Sequence, residues 1–119
     1  MQLPRDATLL RIFVGEDARF EHQPLFEAIV LKARELQLAG ATVFRSPMGY
    51  GQARRLHTTK ILNLSEDLPI VIEIVDVQEK IDRLLPILNQ MMTSGLVTKE
   101  KVQVLQYGNT ASAANDRPS

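Results

Sequence analysis

Between Arg45 and Asp67 the chain reads RSPMGYGQARRLHTTKILNLSED, and this stretch holds most of the side chains able to bind or transform a ligand. Gly49 and Gly51 flank Tyr50, Arg45, Arg54, Arg55 and Lys60 supply cations, and no carboxylate occurs between Glu35 and Glu66. The segment therefore attracts anions. Closely spaced glycines let the backbone take φ > 0 and turn successive N–H groups toward an anion, and the guanidinium forks of Arg54 and Arg55 match phosphate oxygens. A hairpin loop with a solvated basic face explains the same residues equally well. The run is neither G-x-x-x-x-G-K-[ST] nor G-x-G-x-x-G, so it carries no nucleotide signature by itself.

Catalysis has less to work with. His57 is the best general-base candidate and His22 the other, but no nucleophile stands at a recognisable spacing from either. A lone histidine in a polar loop is more often a hydrogen-bonding surface group than a catalyst. Glu66 and Asp67 serve as turn or strand-end caps at least as readily as ligands. The absence of cysteine removes disulfides, thiolate nucleophiles and zinc-thiolate sites, and two histidines distant in sequence are a poor basis for a metal centre.

The elements that must position this stretch follow from periodicity. Thr8 to Gly15 is a strand whose side chains divide into Leu10, Ile12, Val14 on one face and Leu9, Arg11, Phe13 on the other. A charged connection follows, and then a helix from Pro24, at the first helical position, to a C-terminal cap at Gly40, with Leu25, Ala28, Ile29, Ala33 and Leu36 buried. A second strand starts at Thr42 and meets Pro47, which places it at a sheet edge. Pro69 to Val75 is almost continuously apolar and β-branched, as expected of a central strand. Asp76 with Glu79 reads as a capping box for a second helix reaching Gly95, kinked at Pro86. Lys99 to Tyr107 alternates as a fourth strand.

The order β-α-β-β-α-β predicts an α+β, ferredoxin-like fold, a four-stranded antiparallel sheet with the first and third strands central and both helices on one face. Those central strands are apolar on both sides, so the open face predicts an oligomer. Residues 1–107 are expected to form one domain, and the tail 108–119, which lacks apolar anchors, to be disordered.

Basic and acidic residues balance at 14 each, a formal net charge of zero, which argues against non-specific nucleic-acid binding. The N-terminus lacks the long apolar core of a signal peptide, and no run is long enough to cross a bilayer, so a cytoplasmic protein without membrane insertion is expected.

RIFVGEDAR, QPLFEAIVLKARELQLAGATVFR, MGYG with Arg55 and His57, LSEDLPIVIEIVD and GLVT, in this order and spacing, resemble the uncharacterised branch of the PII-like signalling proteins within the nitrogen-regulatory PII superfamily. The resemblance runs from Leu10 to Leu105. Ser46-Pro47 departs from it, standing where the family usually has a glycine and an aliphatic residue. The resemblance implies a homotrimer of ferredoxin-like subunits and no obligatory cofactor. It further implies that an adenine nucleotide (AMP, ADP or ATP) binds in the clefts between subunits, and that the loop 46–66 touches a regulated protein, often a transporter or enzyme.

Carried over by position, it places phosphate contacts on Gly49, Tyr50, Gly51 and Arg55, with Arg45 beside them. His57 would orient a phosphate or a partner, and Tyr50 is placed to stack on a base. Glu16, Asp17 and Arg19 lie beyond the first strand and would line the same cleft, on the expectation that this strand ends beside the end of the third. The rival is a small ferredoxin-like enzyme, of isomerase or oxygenase type, with His57 or His22 as acid-base in a pocket between sheet and helices. A metal-binding protein similar to CutA is a third alternative, disfavoured by the missing cysteines and sparse histidines.

Overall fold

The computed structural model describes residues 5–46, 48–49, 57–58 and 68–108, with 48–49 and 57–58 described as strand positions only. The elements in chain order are β1 (Asp6–Gly15), β2 (Arg19–Phe20), β3 (Gln23–Pro24), α1 (Leu25–Glu35), β4 (Thr42–Arg45), β5 (Met48–Gly49), β6 (His57–Thr58), β7 (Pro69–Asp76), α2 (Gln78–Met91) and β8 (Leu96–Gln103). The main sheet has the order β4-β7-β1-β8, with all neighbours antiparallel. This is the expected ferredoxin-like arrangement, the apolar first and third long strands at the centre and the proline-limited strand at an edge.

Alternation on β1 and β7 decides which face is covered. Leu10, Ile12, Val14, Ile70, Ile72 and Ile74 are buried and form one core with Leu25, Ala28, Ile29 and Ala33 of α1 and Ile81, Leu84, Leu88 and Met91 of α2. The opposite face keeps its residues only partly covered: Leu9, Arg11 and Phe13 on β1, and Val71, Glu73 and Val75 on β7. Burial of the helix-facing set supplies the main driving force, since each aliphatic side chain removed from water contributes about 1.5–3 kcal/mol before chain entropy is subtracted.

Several boundaries differ from expectation. Pro24 is the N-cap of α1 rather than its first helical residue. The helix ends at Glu35, not at Gly40, and Gln37 takes the left-handed conformation (φ 61°). The N–H of Leu38 donates to the Ala33 carbonyl and that of Gln37 to the Arg34 carbonyl, both at 3.0 Å, a Schellman closure that turns Leu38 into the core.

Asp76 does not cap α2. It is the last residue of β7, and its carboxylate accepts from the N–H groups of Val77 and Ala39, each at 2.7 Å. The helix runs unbroken through Pro86, which is exposed, so solvent can serve the Asp82 carbonyl that the proline leaves without its N–H partner. It stops at Met91. β8 begins at Leu96, earlier than expected, because the backbone at Gly95 lies against β1: a Cβ there would come within 2.5 Å of the Phe13 carbonyl oxygen, and φ is +121°. The connection after β1 contains a small hairpin, β2 with β3, closed by Glu21 at φ 58°.

Candidate functional site

The stretch richest in anion-binding chemistry leaves the sheet at the end of β4 and returns at the start of β7, so the backbone there defines the site's floor. β1 runs antiparallel to β7, with Gly15 opposite Pro69. The expectation that the first strand ends beside the end of the third is therefore corrected: it ends beside the third strand's start. The consequence favours the site, because the residues after β1 now lie directly at the foot of the 46–66 segment.

Two backbone hydrogen bonds close this rim. The Glu16 N–H donates to the Leu68 carbonyl at 2.8 Å, and the Ser46 N–H donates to the Pro69 carbonyl at 2.9 Å. With three strand ends fixed side by side, the Arg45 guanidinium pairs with the Glu16 carboxylate across the first residues of β7. The Arg45 side chain is 60% exposed and that of Glu16 22%. Arg45 sits in register with Ile70 and Val14, on the helix-covered side, but beyond the core at the sheet's end.

The other expected residues distribute as follows. Asp17 lies exposed in the turn that the Ala18 N–H closes on the Gly15 carbonyl at 3.2 Å. Arg19 is exposed on the small hairpin, its Nη2 donating to the His22 carbonyl at 3.1 Å. His22 is exposed at the hairpin's turn. Gly49 pairs with His57 in the antiparallel β5–β6 ladder, which brings these two backbone positions together. Tyr50, Gly51 and Arg55, like Arg54 and Lys60, lie outside the described residues.

A feature that spacing alone did not mark stands at the same end of the sheet. An open groove of about 300 Å³ is lined by Leu85, Leu88, Asn89, Met92, Thr93, Ser94, Gly95 and Val97, where α2 hands over to β8. Gly95 packs on Phe13 and Val14, and Leu96 pairs with Phe13, three residues before Glu16. The signal available in the sequence was Thr93-Ser94-Gly95, small hydroxyl residues before a glycine. Its position relative to Glu16 required the register of β8. Among the described residues no group of three or more His, Asp or Glu is placed to hold a metal ion, and no helix is long and apolar enough to cross a membrane.

The chain shares its fold with solved PII-like proteins. It is similar to a putative PII-like signaling protein from Thermus thermophilus, with a TM-score of 0.61 and 20% identity over 87% of this chain and 93% of that one. It is also similar to CPII, a nitrogen regulatory PII-like protein from Thiomonas intermedia K12 whose structure holds ADP, AMP and bicarbonate, with a TM-score of 0.59 and 18% identity over 85% of this chain and 90% of that one. The chain belongs to the family described as DUF190, Uncharacterized ACR, COG1993, which matches residues 7–104. A UPF0166 protein of Aquifex aeolicus (strain VF5) is 42% identical over 97 residues, covering 82% of this chain and 91% of the relative.

Proposed function

We propose that this chain is a PII-like signalling protein without catalytic activity, which binds an adenine nucleotide at the sheet end where β1, β4 and β7 meet and reports its occupancy to a partner protein through the segment 46–66. The observation that carries the reading is the convergence at one rim of Arg45, Glu16, both feet of that segment and the groove beside Thr93 and Ser94. The phosphates would lie on Arg45 and on the glycine and arginine positions that follow it, Gly49, Tyr50, Gly51 and Arg55, with His57 beside them. Glu16, Asp17 and Arg19 border the site. The groove's size and its mix of apolar wall and hydroxyl groups suit the non-phosphate part of such a ligand. The likeness to a structure holding ADP and AMP supports the choice of adenine nucleotide.

We further propose a cytoplasmic homotrimer, in which the open sheet face is covered by other copies and the rim of each subunit is completed by its neighbour. Signalling then requires that nucleotide have different affinity for different arrangements of the 46–66 segment, since a ligand indifferent to them shifts nothing. Titration calorimetry of the purified protein against AMP, ADP and ATP, with and without magnesium, tests the binding. Saturable heat near one site per subunit for one of them is the expected result; none with any of the three, together with an unchanged melting temperature, would overturn it.

A further inference from the structure

The open face of the sheet is not uniformly apolar, and the strand register shows how it is organised. Residues directly opposite in neighbouring strands share a face. One row across all four strands is Phe44, Val71, Phe13 and Leu96. The next is Thr42, Glu73, Arg11 and Thr98, and beyond it stand Val75, Leu9 and, on the edge strand β8, the exposed Glu100. Phe44 is 48% exposed and Leu96 55%. On the two central strands a charged pair therefore lies between the apolar pair Phe13 and Val71 and the apolar pair Leu9 and Val75, the latter flanked at the β8 edge by Glu100. In the charged pair the Arg11 Nε donates to the Glu73 carboxylate at 2.9 Å, with both side chains about one-third exposed.

We propose that the Arg11–Glu73 pair sets the register in which copies of this chain associate through the open face, an inference that rests on the self-association proposed above. A second copy is the occupant because the charged pair is neutral within itself. It offers a cation and an anion side by side, and the surface that complements the apolar, neutral-paired and apolar rows of the two central strands is the same face of another copy. A purely apolar face would permit many offsets of similar energy. A sliding of one row would set Phe13 or Val71 against the ion pair and strip its remaining water without compensation. In the correct register each ion, as it loses water, keeps the other.

This arrangement has a signature. Removing one partner strands a charge inside the interface, whereas removing both leaves an apolar strip that still associates but no longer selects its offset. Arg11→Met and Glu73→Leu, singly and together, and the charge-swapped pair Arg11→Glu with Glu73→Arg, are compared with the wild type. Sedimentation velocity over a concentration series and native mass spectrometry report association, with circular dichroism melts to confirm folding. Each single variant is expected to weaken self-association at least roughly tenfold. The apolar double variant should recover the wild-type strength with a broader set of masses, and the swapped pair should restore the wild-type mass. Single variants indistinguishable from the wild type, or a double variant as weak as either single, would overturn the proposal while leaving self-association intact. A wild type that stays monomeric at every concentration would overturn both.

Discussion

Arg45 is the described cation best placed to meet a phosphate, and it is already occupied by an anion of the protein's own. The Glu16 carboxylate holds it across Pro69, where the β7 backbone offers a carbonyl but no N–H. A phosphate arriving at the rim must compete with that carboxylate, and the competition is mild, because an exposed pair of this kind contributes no more than about 1 kcal/mol. Glu16→Gln should therefore tighten nucleotide binding by up to about fivefold, measured by calorimetry at modest salt, and lower the melting temperature of the free protein by no more than about 8 °C. Weaker binding would mean that Glu16 contacts the ligand directly. His57 enters differently: its backbone faces Gly49 in the β5–β6 ladder. That pairing gives the histidine a place in the 46–66 segment that spacing could not supply.

The elements are joined at points where single residues settle boundaries. Asp76, 1% exposed, ties the turn before β4 to the start of α2 by accepting from Ala39 and Val77. Asp76→Ala would leave both N–H groups without that acceptor and should cost about 2–4 kcal/mol in urea unfolding; a loss below about 1 kcal/mol would show that water replaces it. Lys32 donates to Glu35 at 2.7 Å, and this hydrogen bond with the adjacent ammonium holds the Glu35 carboxyl below its usual range. The pair's small contribution is thus present at neutral pH and lost as pH falls through the lowered value.

The order of the long elements, the central position of β1 and β7 and the edge position of β4 were legible because alternation and β-branching record burial directly. The ends were not. Gly40 looked like the natural cap of α1, yet Gln37 takes the left-handed turn because Leu38 is drawn into the core and Ala39 onto Asp76. Alternation in β8 continues past the ladder, so only the contact of Gly95 with Phe13 fixes where pairing begins. The rim residues were legible by type, whereas their meeting depended on the antiparallel pairing of β1 with β7.

At the scale of the whole molecule, the sheet has a covered face, an open face and two unlike ends. One end gathers Glu16, Arg45, Ser46, Leu68 and the groove by Thr93 and Ser94. The other holds a wider groove of about 570 Å³ lined by Asp6, Ala7, Thr8, Gln78, Lys101, Val102 and Gln103, where the Thr8 hydroxyl donates to the Gln78 side-chain carbonyl at 2.7 Å. The second groove is larger, but it lies away from both feet of the 46–66 segment, so a ligand there would have no direct hold on that segment. Nucleotide binding at the first end can be followed through the backbone amide chemical shifts in a titration with ADP. The largest shifts are expected at Glu16, Arg45, Ser46, Leu68 and Thr93 to Gly95, with little change at Thr8, Gln78 and Lys101. Shifts concentrated at Thr8, Gln78 and Lys101, with the first group unmoved, would contradict binding at the first end.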